Sequence, residues 1–462
     1  MIKKGNNRLP FTDNIYAKSD YIKQHILVLK MAAPIILANL SVPLLGFVDT
    51  AVMGHLPHAY FLGAVAIGAT IMQFIYWGFG FLRMGTTGLT AQAYGANQSA
   101  EVRLNFQRAA LLALIIGLLL WLLKSHIIDF SLYLFEASRD VEDLARTYFN
   151  IRIWSAPAAL INYCLIGWFI GVQQTRIILI LQVWMNLINI ILDLIFVVGF
   201  NWGVEGVALA TVIAEVSAAS LGIYFYLKKT GKDGIIIDYA KLLNSSKLQR
   251  MIAINLNIFL RTFCLIFAFA YFTSEAAKFG DNTLAANAIL LQFIHFLSFG
   301  LDGFAQAAET LIGGALGERN RNKYRMTVKV TMTWAIGISL IYTVFYWLFG
   351  SWMIDLFTNN ESVRVIANQF LIWVIILPFI AVWAYMLDGI FIGATRSADM
   401  RNGMAIALAI FIVSIFILKS ASGYQGLWIS LIIFMGARGI TLGFTFPNIE
   451  KSLKVVAVAD TD

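Results

Sequence analysis

Long, unbroken apolar runs separated by short polar breaks set the pattern of this chain. A helix of about 20 apolar residues crosses the hydrocarbon core of a bilayer. Twelve runs reach that length, at roughly 26–53, 62–90, 104–124, 146–170, 177–199, 204–227, 251–274, 284–313, 327–349, 366–392, 403–420 and 424–446. The strands of a membrane barrel would instead alternate apolar and polar over about 10 residues. Inside lipid a backbone must satisfy its own hydrogen bonds, so continuous runs become helices. The pattern therefore predicts an all-α polytopic membrane protein with twelve transmembrane helices.

The longest hydrophilic break covers 228–250 and carries Lys228, Lys229, Lys232, Lys241, Lys247 and Arg250. It divides the chain into halves of six helices each, 1–227 and 251–462. An internal repeat supports that division. At a shift of 222, Leu62–Ile67 (LGAVAI) lies over Leu284–Ile289 (LAANAI), Gly95 over Gly317, and Phe169–Gly171 over Phe391–Gly393. Six spans is an even number, so the halves share one orientation and are related by an axis along the membrane normal. Parallel repeats of this kind occur in secondary transporters, whose substrates bind near the midplane between the repeats.

Composition narrows the class further. Hydrophobic residues make up 59%, charged residues 13%, and mean hydropathy is +0.75. Soluble domains average about 45–50% apolar and about 25% charged, which excludes both a soluble and a disordered chain. The net charge of +8 reads as topology. With the N-terminus in the cytoplasm, 23 of the 34 Lys and Arg fall on the cytoplasmic side and 6 on the other. That asymmetry places both termini in the cytoplasm and removes the need for a nucleic-acid partner. Cys164 and Cys264 lie inside apolar runs and read as small hydrophobes. No cleavable signal peptide and no GxxxxGK[ST] phosphate loop is evident, which disfavours ATP-driven pumping.

Charge inside a bilayer is costly and marks function by default. Six acidic residues fall well inside spans: Asp49, Asp193, Glu215, Asp302, Glu309 and Asp388. Asn189 and Asp193 share one helix face at i,i+4 spacing. An amide oxygen and a carboxylate are hard ligands for Na⁺, and a desolvated carboxylate can carry H⁺ instead. Asp49 is a second carboxylate with little positive charge near it in sequence. Arg83 either pairs with an intramembrane acid or reaches toward headgroups. Arg261 and Asp302 sit at similar depths, which predicts an ion pair between them. Pro34 and Pro43 interrupt the first helix and predict a kink beside Asp49. Trp184 and Phe267 are candidate aromatic faces for flat cations. The five His form no metal-binding spacing.

The run Val48–Leu56 (VDTAVMGHL), then Leu62–Gly68 (LGAVAIG) and Phe79–Gly95 (FGFLRMGTTGLTAQAYG), resembles the MATE family (multidrug and toxic compound extrusion), in its DinF-like branch. Asn189, Asp193 and the run Gly203–Thr211 (GVEGVALAT) match the same pattern. The resemblance covers essentially the whole chain. It implies a MATE/MOP-type fold of two pseudo-symmetric six-helix lobes in a bacterial inner membrane. It implies a monomer without a cofactor that expels lipophilic, often cationic, drugs in exchange for H⁺ or Na⁺ by alternating access. It also implies that Asp49, Asn189, Asp193 and Thr211 hold the coupling ion and that Pro34 takes part in helix-1 bending. Arg83, Glu215, Asp302, Glu309 and Asp388 are secondary candidates. Two other readings are a flippase for a lipid-linked precursor, which needs a wide basic cavity, and a polytopic membrane enzyme, which needs a catalytic cluster at a membrane face.

Overall fold

A computed structural model describes residues 20–41, 59–135, 138–234 and 238–459. Twelve helices among them are long and apolar enough to cross a membrane. They are α1 (Asp20–Ser41), α2 (Tyr60–Gly95), α3 (Ser99–Phe135), α4 (Arg139–Gly171), α5 (Thr175–Gly199) and α6 (Val204–Thr230). The second six are α7 (Ser245–Ala277), α8 (Asp281–Gly317), α9 (Arg321–Phe357), α10 (Glu361–Gly393), α11 (Ser397–Ser422) and α12 (Tyr424–Leu453). Asp49, Pro43, His55 and His58 lie outside the described residues.

The repeat is written into the backbone turns. Four helices end at the linker side with the same closure, in which an N–H reaches back five residues to a helical carbonyl. The bonds are Gln98 to Ala93 (2.9 Å), Gln174 to Phe169 (2.8 Å), Asn320 to Ala315 (2.9 Å) and Arg396 to Phe391 (3.0 Å). This closure puts one residue in the left-handed region. Here these are Asn97 (φ 56°), Gln173 (61°), Arg319 (53°) and Thr395 (54°). Arg319 follows Asn97, and Thr395 follows Gln173, by the same 222 residues that relate the two halves. Asn201 (φ 53°) and Gly423 (φ 60°) repeat the relation at the opposite end.

Among the described residues, the buried apolar side chains form two cores. One takes side chains from α2 to α6, together with Ala38 of α1 and Met251, Ile254 and Ile258 of α7. The other takes α8 to α12, together with Val28, Met31 and Ala32 of α1 and Ala268, Phe272 and Ala276 of α7. The first helix of each half thus spans both cores. Two hydrogen bonds tie the start of α1 to α9: Gln24 Nε2 donates to Thr327 Oγ1 (2.9 Å), and Trp334 Nε1 donates to His25 Nδ1 (3.0 Å). Pro34 sits between Ala32, packed on one core, and Ala38, packed on the other. The helix runs through it.

The connection between α6 and α7 is anchored. Its described residues include a 3-10 turn, Gly231–Gly234, and a short α-helix, Tyr239–Leu242. Buried Arg108 of α3 donates from Nη2 to Lys241 O (2.7 Å) and from Nε to Leu242 O (3.2 Å), while Glu101 holds its Nη1 at 2.8 Å.

The halves meet tightly at the linker end. A Cβ added at Gly95 would lie 2.1 Å from Gly314 O, and one at Gly317 would lie 2.1 Å from Gln92 O. Gly314 and Gly317 are the repeat counterparts of Gln92 and Gly95. The contact is therefore reciprocal, as a two-fold pseudo-axis requires. Glycine on both sides lets two helix backbones approach where any side chain would hold them apart. Two polar bonds flank this contact: Thr310 Oγ1 donates to Ile170 O (3.0 Å), and Gln92 Nε2 donates to Gly393 O (2.9 Å).

Candidate functional site

Two groups of polar residues stand out inside the membrane-spanning helices. The first lies on α5. Gln182, Asn186, Asn189 and Asp193 follow each other at steps of four, three and four residues, so they form one stripe down the helix. Asn189 and Asp193 are buried. At the lower end of the stripe α5 widens into a π-helical turn over Leu194–Gly199, immediately after Asp193. Such turns leave carbonyls without ordinary partners and recur at functional sites.

Asn189 meets Thr211 of α6, with its Nδ2 3.0 Å from Thr211 Oγ1, which itself donates to Val207 O (2.9 Å). Turning the amide over satisfies the network better. Nδ2 then donates to Asp193 Oδ2 (3.1 Å), and Oδ1 accepts from Thr211 N (3.2 Å) and Oγ1 (3.0 Å). Asn189, Asp193 and Thr211 are thus brought together. Asn186 Nδ2 donates to Ser41 Oγ (2.9 Å) and Ser41 O (3.1 Å), which joins the stripe to the end of α1. Gln182 and Asn186 were not singled out from sequence, although their helical spacing to Asn189 was there to read.

The second group lines a cavity of about 610 Å³ between the halves. Its charged lining residues are Arg83 from α2, Arg261 from α7, Asp302 and Glu309 from α8, Asp388 from α10 and Arg438 from α12. Arg83 resolves to the first of its two readings. Its Nη1 donates to Glu309 Oε2 at 3.2 Å, a membrane-embedded pair that joins the two halves. Asp388 accepts from Arg261 Nη2 and from Arg438 Nη2, the latter at 2.8 Å, both on Oδ2. Arg438 is further held by Met435 Sδ at 3.1 Å.

The expected ion pair between Arg261 and Asp302 is therefore corrected: Arg261 pairs with Asp388. Similar depth pointed to Asp302, but Arg261 reaches the carboxylate of Asp388 on α10, another lining residue of the same cavity. Asp302 has no hydrogen bond or ion pair among the described residues, and its side chain faces the cavity. Glu215 belongs to neither group. It forms a two-pronged pair with Arg152 of α4, at 3.0 and 3.2 Å, buried inside the first-half core. Trp184 and Phe267 do not line the cavity; they stand on the outer surface, 40% and 42% exposed. The cavity aromatics are instead Tyr76, Trp77, Tyr163, Phe269, Phe299 and Tyr385. Tyr163 and Tyr385 are repeat counterparts, which is the one signal that marked them in advance.

The MatE family model matches residues 34–195 and, a second time, 258–419, one stretch in each half of the chain. The chain belongs to the MATE family. It is 40% identical over 412 residues to DNA damage-inducible protein F of Escherichia coli, covering 89% of this chain and 90% of that one. It is 25% identical over 370 residues to a probable multidrug resistance protein NorM of Neisseria meningitidis, covering 78% and 79%. Among solved structures, it superposes on a MOP superfamily transporter from Pyrococcus furiosus with a TM-score of 0.84 at 21% identity, covering 93% and 97%. A multidrug resistance MATE family transporter solved in an outward-facing conformation gives a TM-score of 0.81 at 21% identity, with the same coverage. These likenesses establish the MATE/MOP fold and place the protein in a family of multi-pass membrane transporters, in its DinF-like branch.

Proposed function

We propose that this protein is a secondary antiporter that expels lipophilic, often cationic compounds across a bacterial inner membrane in exchange for H⁺ or Na⁺. The observation that carries the reading is the joining of a MATE chain with a cavity of about 610 Å³ between its halves. That volume suits a drug-sized ligand. The linker end, where the halves close on Gly95 and Gly317, is the cytoplasmic end, and both termini lie there. The protein works as a monomer, and residues 1–227 and 251–462 act as two lobes joined by 228–250.

The coupling ion is held in the first lobe by Asp49, Asn189, Asp193 and Thr211. The bonds among Asn189, Asp193 and Thr211 support this, since they gather hard oxygen donors at one buried place. A carboxylate there accepts either H⁺ or Na⁺ as a charge that the dry interior otherwise disfavours. Ion binding shifts transport only if the two facing states hold the ion with different affinity. A helix that spans both cores and carries Pro34 between them is suited to differ between the two states.

The lipid-linked flippase reading needs a basic cavity. Here three arginines are matched by three carboxylates, so the lining carries no formal excess of positive charge from these groups. The test is substrate efflux from proteoliposomes under an imposed pH gradient and, separately, an imposed Na⁺ gradient. Efflux under at least one gradient supports antiport; efflux that needs neither gradient refutes it.

A further inference from the structure

The cavity's charged groups divide unequally once their bonds are followed. Arg83 and Glu309 neutralise each other at 3.2 Å. Arg261 and Arg438 share one carboxylate oxygen of Asp388, which leaves that cluster with one formal positive charge in excess. Asp302 supplies the balancing negative charge without touching any of them, and among the described residues it is the one acid of the lining with no bonded partner.

We infer that Asp302 is the residue that selects the charge of the transported compound, by receiving its cationic group. This deepens the efflux reading above and rests on it. The choice among the three acids follows from what an entering cation would have to displace. At Glu309 or Asp388 it would break charge-assisted bonds to guanidinium, roughly twice as strong as neutral ones. At Asp302 it breaks no hydrogen bond or close ion pair and competes only with the more distant charges of Arg83, Arg261 and Arg438. The repeat gives Asp302 no acidic counterpart, since Gly80 stands at its place in the first half, so its carboxylate is not mirrored across the cavity. Aromatic faces complete the site: Tyr385, Phe299, Phe269 and Trp77 line the same cavity and attract a cation through their ring quadrupoles. A compound with a delocalised or shielded positive charge and an apolar body fits such walls.

The test compares two arylphosphorus compounds on the full-length protein in lipid nanodiscs: tetraphenylphosphonium, a permanent cation with four phenyl groups, and triphenylphosphine oxide, which is neutral and carries three. Binding of radiolabelled tetraphenylphosphonium is measured directly and that of the oxide by competition. The proposal expects Asp302→Asn to weaken the cation by about 10- to 100-fold, the range for loss of one charged partner, and to leave the neutral compound unchanged. Asp302→Glu, which keeps the charge, should retain most of the affinity for the cation. An unchanged cation affinity in Asp302→Asn, or equal loss for both compounds, overturns the assignment and leaves Asp302 a structural counter-charge. Should Asp302→Asn fail to fold, Asp302→Glu and Asp302→Ser decide, with retention in the first and selective loss in the second expected, and equal behaviour of the two contradicting the proposal. If the unmodified protein binds neither compound, the cavity is not a drug site and the efflux reading itself fails.

Discussion

Replacing Gly95 with alanine drives a methyl group into the backbone of α8. The new Cβ would sit 2.1 Å from Gly314 O, 2.7 Å from Gly314 C and 2.7 Å from Gly314 Cα. All three are backbone atoms, so no side-chain rotation relieves the overlap and the helices must move apart. Overpacking of this kind costs about 1–3 kcal/mol. Under the proposed alternating access, the contact exists only while the halves are closed at the linker end, so the cost falls on that state alone. Each 1.4 kcal/mol is about tenfold in an equilibrium, and the population should move about 5- to 150-fold toward states open at that end. Gly317→Ala strikes the mirror contact at Gln92 O and should act in the same direction. The two together should not add fully, because one separation relieves both overlaps. Gly337, in the middle of α9, meets nothing within 4 Å and serves as the control. There alanine replaces glycine in open space and costs nothing beyond the helix preference that favours it. The assay is pulsed electron–electron resonance between spin labels at exposed Ser99 and Asn322, with Cys164 and Cys264 replaced. Longer label separations in Gly95→Ala and Gly317→Ala but not in Gly337→Ala are expected. Identical distance distributions in all three would refute the argument that this contact closes the linker end.

Two more outcomes follow from particular contacts. Arg83→Met leaves Glu309, whose side chain is only 3% exposed, without its guanidinium, and breaking a buried pair costs about 3–5 kcal/mol. Arg83→Met with Glu309→Leu should recover much of the lost thermal stability in detergent; equal loss in single and double variants would show that the pair is not energetically coupled. On the linker, Asp238 caps Tyr239–Leu242 by accepting from Lys241 N at 3.2 Å. Bonding of its carboxylate to Lys241 holds its pKa below the ordinary value, so the ionised cap is present at neutral pH and is lost only as the pH falls through that lowered value. Amide exchange over Tyr239–Leu242, corrected for intrinsic rates, should speed up on acidification, and Asp238→Asn should remove that pH dependence.

The sequence made the spans legible because lipid demands long apolar helices, and it made the repeat legible because the 222-residue shift keeps glycines at close approaches. The turns at Asn97 and Arg319, and at Gln173 and Thr395, carry the same shift into the backbone. The facing of each helix was far less legible. In a soluble protein the polar side of a helix marks solvent, but here lipid and core are both apolar. Trp184 and Phe267 therefore read as equally suited to a cavity or to lipid, and the structure put them on the outside. The same loss of contrast explains the ion pairs. Sequence depth brought Arg261 near Asp302, whereas in the packed helices Asp388 accepts from both Arg261 and Arg438. Acids were recognised one by one; their partners required the packing.

In the proposed mechanism an ion gradient drives substrate outward through carboxylates of the first lobe. That mechanism is tested most directly by efflux from proteoliposomes under imposed pH and Na⁺ gradients, with the unmodified protein beside Asp49→Asn and Asp193→Asn variants that keep its elution profile and thermal midpoint. Gradient-driven efflux by the unmodified protein, lost in both variants, is the predicted result. Efflux that persists undiminished in both variants, or that ignores both gradients, would contradict it.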